Sequence, residues 1–209
     1  MILYFCQRGL LFPIIALFYC ITIMGTIVLR RVIALVGMPG SGKSEAAAVF
    51  VAHGFKSIRF GDITDEGVRR KGLPLNEDNE RLVREELRKQ HGMAAYAILN
   101  LSRIQDVLRQ RNVIIDGLYS WEEYKYLKQE LAGNLVTITV WAPPALRYAR
   151  LTGRKIRPLT EEQARARDYA EIENVNKGGP IAMADFIIVN DSTLESLVKQ
   201  TEQIIKVVL

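Results

Sequence analysis

One glycine-rich loop constrains this chain more than any other stretch. Val32-Ile33-Ala34-Leu35-Val36 is an apolar, β-branched run that predicts a buried strand. Gly37-Met38-Pro39-Gly40-Ser41-Gly42-Lys43-Ser44 follows directly, and Glu45-Ala46-Ala47-Ala48-Val49-Phe50 then predicts a helix. The spacing is G-x-x-x-x-G-K-[ST], the P-loop pattern, in the strand–loop–helix setting that gives it meaning. The glycines let backbone N–H groups turn inward as a concave anion site, and the helix N-terminus adds the positive end of its dipole. In such a loop Lys43 reaches the β- and γ-phosphates as a point charge, and the Ser44 hydroxyl ligates Mg²⁺. A bare turn between strand and helix needs none of these fixed positions, so Gly37 to Ser44 reads as a polyphosphate cradle.

Strand and helix signals alternate through the rest of the chain. Residues 56–60 read as a short strand ending at Gly61-Asp62, and residues 112–117 as a buried strand carrying Asp116 near its end. Residues 135–141 and 186–189 complete the set of strands. Asn76 reads as the N-cap of a helix to Lys89, with Leu82, Val83 and Leu87 on one face. Residues 93–111 form another helix by the stripe Ala97, Ile98, Leu101, Ile104 and Leu108. Ser120 with Glu123, and Thr160 with Gln163, are capping boxes that each open a further helix. Between them, after Pro143-Pro144, a helix is expected to carry Arg147, Arg150, Arg154, Lys155 and Arg157. Residues 65–72 read as a charged connection, and Lys177-Gly178-Gly179-Pro180 as a break. A last helix has Leu197, Val198, Thr201, Ile204, Ile205 and Val208 as its stripe. Continuous apolar strands fit a sheet covered on both faces. The fold class is therefore α/β: a P-loop NTPase three-layer sandwich with a five-stranded, mostly parallel sheet and an arginine-rich lid. Ligands bind beyond the carboxyl ends of such strands, where the glycine loop, Asp62 and Asp116 all fall.

Residues 30–209 carry all of these signals and are long enough to bury one core, with 49% of the chain hydrophobic. The formal charge of +5 calls for no nucleic-acid partner, because a polyphosphate site absorbs basic residues and no RNA- or DNA-binding motif accompanies them. The two cysteines, Cys6 and Cys20, precede the domain, which excludes a disulfide framework or cysteine metal cluster inside it. Residues 1–29 are a separate, apolar extension. From Leu10 to Leu29 no charge interrupts a run long enough to span a bilayer. Arg8 before it and Arg30-Arg31 after it favour a cytoplasmic C-terminal side. Against a span stand Pro13, Gly25 and the lack of a linker before the first strand. The extension reads as a mis-assigned start with translation from Met24, as a membrane anchor, or as a signal peptide. The domain is cytoplasmic in the first case and anchored facing the cytoplasm in the second.

Two acids and a basic cluster give the loop its chemistry. Asp116 ends a hydrophobic strand, the place of a carboxylate that holds Mg²⁺ directly or through water; capping the following turn is its alternative role. Asp62 is placed to accept a proton from an attacking hydroxyl as general base, or to cap a helix. The arginines from Arg147 to Arg167, with Arg154 and Arg167 among them, form a cluster able to close over phosphates and stabilise charge on a transferred group. His53 and His91 belong to no partner pattern.

Several stretches together resemble a known family. They are the loop from Gly37 to Glu45, Phe60-Gly61-Asp62, His91-Gly92-Met93-Ala94-Ala95, Asp116-Gly117, Arg167-Asp168, and the segment from Ala184-Asp185 to Asn190-Asp191-Ser192. They look like an archaeal P-loop kinase-like family of unassigned activity, itself similar to dephospho-coenzyme A kinase and adenylate kinase. The resemblance runs from about Val32 to the C-terminus, and members usually begin near that strand. It implies a five-stranded parallel sheet with ATP and Mg²⁺ as ligands. It places Asp62 at the position of the base in dephospho-coenzyme A kinase, and Asn190 where such kinases pass the adenine. Adenylate kinases carry an arginine three residues after the Gly-Asp acid, where this chain has Asp65. They also carry Asp-Gly-x-Pro-Arg, and the archaeal relatives usually Asp-Gly-x-Arg-Ser, where this chain has Asp116-Gly117-Leu118-Tyr119-Ser120. Both departures remove phosphate-binding arginines from the acceptor side. The expectation is a small-molecule kinase transferring the γ-phosphoryl of ATP to a nucleotide-like or coenzyme-like acceptor. The alternatives are a P-loop ATPase and a low-turnover nucleotide-binding module acting with a protein partner.

Overall fold

A computed structural model of the chain describes residues 30–155 and 158–209. The extension 1–29 and Arg157 lie outside the described residues, and the readings placed on them stay outside this account. No described helix is long and apolar enough to cross a membrane. In chain order the elements are β1 (Val32–Val36), α1 (Lys43–Ala52), β2 (Lys56–Arg59), α2 (Asp62–Arg70), α3 (Glu77–His91), α4 (Ala95–Leu108) and β3 (Val113–Asp116). Then come α5 (Trp121–Glu130), β4 (Leu135–Trp141), α6 (Pro144–Thr152), α7 (Glu161–Glu173), α8 (Gly178–Ala182), β5 (Phe186–Val189) and α9 (Leu194–Val208).

The strands form a five-stranded sheet in the order β2-β3-β1-β4-β5, and every pair is parallel. The neighbours β1 and β4 send their following connections to opposite edges, since β1 leads to β2 and β4 leads to β5. A crevice opens at the carboxyl ends of such a pair. Side chains alternate across a strand, and the sequence of β1 therefore serves two cores. Val32, Ala34 and Val36 join Val113, Ile115, Tyr96, Ile104, Tyr124 and Leu127 on one face, under α4 and α5. Ile33 and Leu35 join Ile114, Ile138, Val140, Phe50, Leu197, Ile204 and Ile205 on the other, under α1 and α9. All five β1 residues are fully buried. That double coverage explains why the strand reads as an unbroken apolar run rather than an alternating one.

The capping signals fold as expected. Asn76 accepts from the Asn79 N–H at 2.9 Å. Ser120 and Glu123 form a reciprocal box at the start of α5, as do Thr160 and Gln163 at α7. Four expectations need correction. Residues 62–70 are a helix and not a charged connection, because Thr64 and Val68 supply a buried face to an otherwise polar segment. Gly67 of α2 lies against Val83 of α3, where a Cβ would stand 2.6 Å from Val83 Cγ1. That contact turns Val83 inward and leaves Leu82 exposed. On α4 the buried face is Tyr96, Ala97, Asn100 and Ile104, and Ile98 is exposed. The polar ends of Tyr96 and Asn100 find partners in Thr64 Oγ1 and the Tyr96 carbonyl, which lets both occupy core positions. The helix after Pro143-Pro144 ends at Thr152, so Arg154 and Lys155 lie beyond it. The break read at Lys177-Gly178-Gly179-Pro180 does separate two helices, α7 ending at Glu173 and the short α8 over Gly178–Ala182.

Ile115 sits at the centre of the sheet with no exposed surface, one residue before Asp116. Ile115→Ala is expected to lower stability by about 2–5 kcal/mol. The check is urea unfolding, with a lower midpoint and an unchanged slope.

Candidate functional site

The glycine loop leaves β1 at the carboxyl edge and is built for close approach. Gly37 has φ +143°, and a Cβ there would stand 2.3 Å from the Val140 carbonyl oxygen of β4. Gly42 has φ +99°, and its Cβ would stand 2.3 Å from Asn190 Nδ2. Any side chain at either position would have to displace a neighbouring strand or the loop after β5.

Three successive loop carbonyls are pinned from outside. Arg147 donates to the Pro39 oxygen at 3.1 Å, Arg150 to the Gly40 oxygen at 3.4 Å, and Asn190 Nδ2 to the Ser41 oxygen at 2.8 Å. A trans peptide points its N–H away from its carbonyl, so pinning these oxygens turns the N–H groups of Gly40 and Gly42 to the opposite side. The Ser41 N–H closes a turn on the Met38 oxygen at 3.2 Å. Gly42 brings no capping side chain to α1, whose first internal bond runs from the Ala46 N–H to the Gly42 oxygen. The first-turn N–H groups are thus left for an anion at the positive end of the helix. Ser41 Oγ is buried with no hydrogen-bond partner among the described residues. An uncapped helix end and an orphaned buried hydroxyl fit a site whose missing acceptor is a phosphate.

Behind the loop lies a buried ion pair. Arg147 binds Asp168 in bidentate fashion at 2.9 and 2.6 Å, donates from Nε to the Ala142 oxygen, and shares Asp168 with the Tyr148 hydroxyl. Both residues are about 95% buried, with exposures of 4% and 5%. Arg147 is therefore a strut joining α6, α7 and the loop, and not an arm of a lid. Removing one partner of such a pair costs about 3–5 kcal/mol by stranding the other charge. Asn190 is likewise a structural support, buried and held by Arg150 through both its backbone and side-chain oxygens at 3.2 Å. It still borders a cavity of about 410 Å³ lined by Lys43, Ser44, Arg150, Arg154 and Leu194. That volume lies in the range of small-ligand pockets. Arg154 stands exposed at its rim.

The other side of the loop is a charge cluster. Lys43 Nζ donates to the carbonyls of Gly37 and Met38 at 2.9 and 3.1 Å. Burial and then the positive charge of Lys177 push its pKa down to about 7, against the pull of Glu171 and Asp116. Asp116 ends β3 in register with Leu35 of β1. Glu171 of α7 is paired with Arg167 at 3.2 Å and with Lys177. Burial works against its charge, but Lys177 and Arg167 hold the carboxyl below its ordinary range. Tyr119 is raised well above the ordinary phenol range by burial and by Asp116. The structure thus places Lys43, Asp116 and Arg167 in one electrostatic neighbourhood. Lys177 and Glu171 belong to it too, and sequence reasoning missed both. No spacing marks a lysine in a Gly-Gly-Pro loop, and Glu171 reads as one more helix-surface acid.

Asp62 opens α2 and does not end β2. Its carboxylate faces Arg59 Nε at 2.8 Å and Arg103 at 3.9 Å, and Arg59 also pairs with Asp65. Among the described residues no cluster of three or more His, Cys, Asp or Glu side chains is arranged for a metal. A Mg²⁺ bound here would rest on Ser44, Asp116, phosphate oxygens and water, which suits its preference for few protein ligands.

Comparison with known proteins agrees with this geometry. Residues 33–174 match the family model described as AAA domain. A UPF0200 protein from Sulfurisphaera tokodaii is 37% identical over 185 residues, covering 87% of this chain and 99% of the relative. The chain belongs to the UPF0200 family. Among solved structures, TT1252 from Thermus thermophilus aligns with a TM-score of 0.63 and 20% identity over 86% of this chain and 98% of that one. Dephospho-CoA kinase from Campylobacter jejuni aligns with a TM-score of 0.50 and 16% identity over 87% and 98%. At these identities the likeness is one of fold, and the fold is that of P-loop kinases.

A polyphosphate beside Lys43 favours its charged form, which the apo site disfavours above pH 7. Binding above that pH therefore takes up a proton. Affinity for a nucleoside polyphosphate is expected to fall as pH rises from about 7.5 to 9, by up to about tenfold per unit. Calorimetry at pH 8.5 in two buffers of different ionisation enthalpy would show uptake approaching one proton. Affinity constant over this range, with no proton uptake, would count against the lysine's depressed pKa.

Proposed function

We propose that the protein is an ATP-dependent small-molecule kinase acting on a nucleotide-like or coenzyme-like acceptor. The observation that carries the reading is the uncapped, outwardly pinned loop with Lys43 folded onto its own carbonyls. A lysine held on two carbonyl oxygens has no carboxylate to lose when a phosphate arrives. The cavity beside Arg150, Arg154 and Asn190 takes the nucleoside, and the loop takes the phosphates. In the transfer the acceptor oxygen bonds to the γ-phosphorus, the bond from phosphorus to the β–γ bridging oxygen breaks, and ADP leaves. Asp62 receives the acceptor's proton. Mg²⁺, on Ser44 and Asp116, supplies neutralisation of the charge that develops on the phosphate oxygens. Arg154 and Arg167 stabilise the same charge from the α6–α7 side.

The acceptor side lacks the two arginines that adenylate kinases carry, at Asp65 and in the Asp116–Ser120 stretch. Arg59 and Arg103, now held by Asp62, serve in this reading as the anion-binding groups for the acceptor. That same pairing is also the observation that favours the rival reading. A base engaged by two arginines is what a P-loop ATPase or a low-turnover nucleotide-binding module would tolerate, because neither needs an acceptor. No nucleic-acid partner enters this reading, and an ATP-using kinase is expected to work in the cytoplasm.

ATP with Mg²⁺ is expected to stabilise the protein by about 2.7 kcal/mol at a hundredfold excess over Kd, read as a thermal shift that Lys43→Ala removes. Screening nucleotide and coenzyme acceptors for ADP formation and a phosphorylated product identifies the substrate. With that substrate, Asp116→Asn should impair transfer and basal hydrolysis alike. Asp62→Asn should slow transfer by roughly 10²–10⁴-fold while keeping the ATP-induced shift. No thermal shift with ATP, GTP or ADP would refute nucleotide binding. ADP production that no acceptor raises above the water reaction would replace the kinase with the ATPase.

A further inference from the structure

Among the described residues that line the cavity beside the glycine loop, Glu45 is the single carboxylate. It shares the wall with Arg150, Arg154, Asn190 and Leu194, next to Lys43 and Ser44. It stands in the first turn of α1, one residue beyond Ser44. Side chains on a helix lean toward its N-terminus, so Glu45 leans back toward the carboxyl edge of the sheet. The start of α1 is also pressed against the opposite wall. A Cβ on Gly42 would stand 2.3 Å from Asn190 Nδ2 and 3.2 Å from Leu197 Cδ1. Glu45 thus meets the cavity where the phosphate loop gives way to the segment between β5 and α9.

Much of the polar surface of this wall is already engaged. Asn190 gives its Nδ2 to the Ser41 oxygen and receives Arg150 on its side-chain oxygen. Arg150 is divided between the Gly40 oxygen and Asn190. Neither Glu45 nor Arg154 has a hydrogen-bond or ion-pair partner among the described residues. Leu194, 59% exposed, adds an apolar face. On an ordinary helix the dipole alone favours an acid in the first turn. This helix end is the phosphate site, where a bound anion takes the same field and a neighbouring carboxylate repels it. The partner that suits Glu45 there is a neutral group that donates hydrogen bonds, just beyond the phosphates. In a nucleotide the group after the phosphates is the ribose. Its adjacent 2′- and 3′-hydroxyls match the two acceptor oxygens of a carboxylate. An acid on a ribose hydroxyl is also how dinucleotide-binding folds read that sugar.

We propose, resting on the nucleotide-binding reading above, that Glu45 is a specificity-determining residue that accepts hydrogen bonds from the ribose hydroxyls of the bound nucleotide. The site then selects ribonucleotides over deoxynucleotides. The loop N–H groups and Lys43 take phosphates that both classes share, and Glu45 answers only to the sugar.

The experiment is calorimetric titration of the full chain with ATP, 2′-deoxy-ATP, 3′-deoxy-ATP and inorganic triphosphate, each with Mg²⁺, on wild type, Glu45→Ala and Glu45→Gln. Wild type should bind ATP about tenfold or more tightly than at least one deoxy analogue, the value of one charge-assisted hydrogen bond. Glu45→Ala should bring that ratio close to one, while inorganic triphosphate binds as well as before or better. Glu45→Gln keeps a neutral acceptor oxygen and should give an intermediate ratio. A carboxylate that serves only the helix dipole, Arg154 or the metal leaves the ratio of ATP to its deoxy analogues at the wild-type value in both variants, and that result overturns the proposal. If Glu45→Ala does not fold, Glu45→Gln decides alone: a lowered ratio supports the sugar contact, and an unchanged one refutes it. Wild type that binds neither ATP nor triphosphate defeats the nucleotide-binding reading itself. Wild type that binds ATP and both deoxy analogues equally defeats only the role of Glu45.

Discussion

Arg147, Arg150 and Asn190 donate to three carbonyls in a row, those of Pro39, Gly40 and Ser41. An anion loop needs its N–H groups on the concave side, and the carbonyls of the same peptides must then be satisfied on the convex side. The chain meets that requirement with side chains from α6 and from the loop after β5. These donors must themselves be fixed, and Asp168 fixes Arg147 in turn. The loop, the last third of the chain and the carboxyl edge of the sheet are therefore one mechanical unit. The residues that look like phosphate-binding arginines divide accordingly. Arg147 and Arg150 shape the loop from behind, whereas Arg154 stands exposed at the cavity rim and Arg167 pairs with Glu171.

The front of the loop is ordered by charge rather than by hydrogen bonds. Lys43 is held on carbonyls, surrounded by Lys177, Glu171, Asp116 and Arg167, and loses its proton more readily than an ordinary lysine. Such a site is under electrostatic tension with positive charge in excess, and a phosphate relieves it. The start of α2 shows the opposite balance of charge. Asp62 and Asp65 both hold Arg59, so this group of charges is internally neutralised and half exposed. Exposed pairs of this kind contribute little to stability.

Much of the architecture was legible because it rests on local physics. The β1 run, the capping residues Asn76, Ser120 and Thr160, and the Asp116 strand end each follow from periodicity or from a side chain satisfying its own helix start. The errors lie where a neighbour decides. Leu82 and Ile98 fit an apolar stripe as well as Val83 and Ile104 do, yet only the contact of Gly67 with Val83 and the packing of α4 on the sheet choose the buried set. Tyr96 and Asn100 could be placed in the core only by knowing that Thr64 and a backbone carbonyl would satisfy them.

By itself, the sequence determined that a strand, a glycine loop and a helix would make a phosphate cradle, and that alternating elements would gather strand ends into one edge. Those conclusions need only covalent geometry and the two periodicities of side-chain direction. It showed equally that Asp65 and the stretch from Asp116 to Ser120 lack the arginines that adenylate kinases carry there. Only the tertiary structure decided which charges face the loop. Arg147 became a buried strut and Lys177 a buried neighbour of Lys43 because residues far apart in the chain meet there. Electrostatic energy depends on distance and burial, and neither is written in residue order.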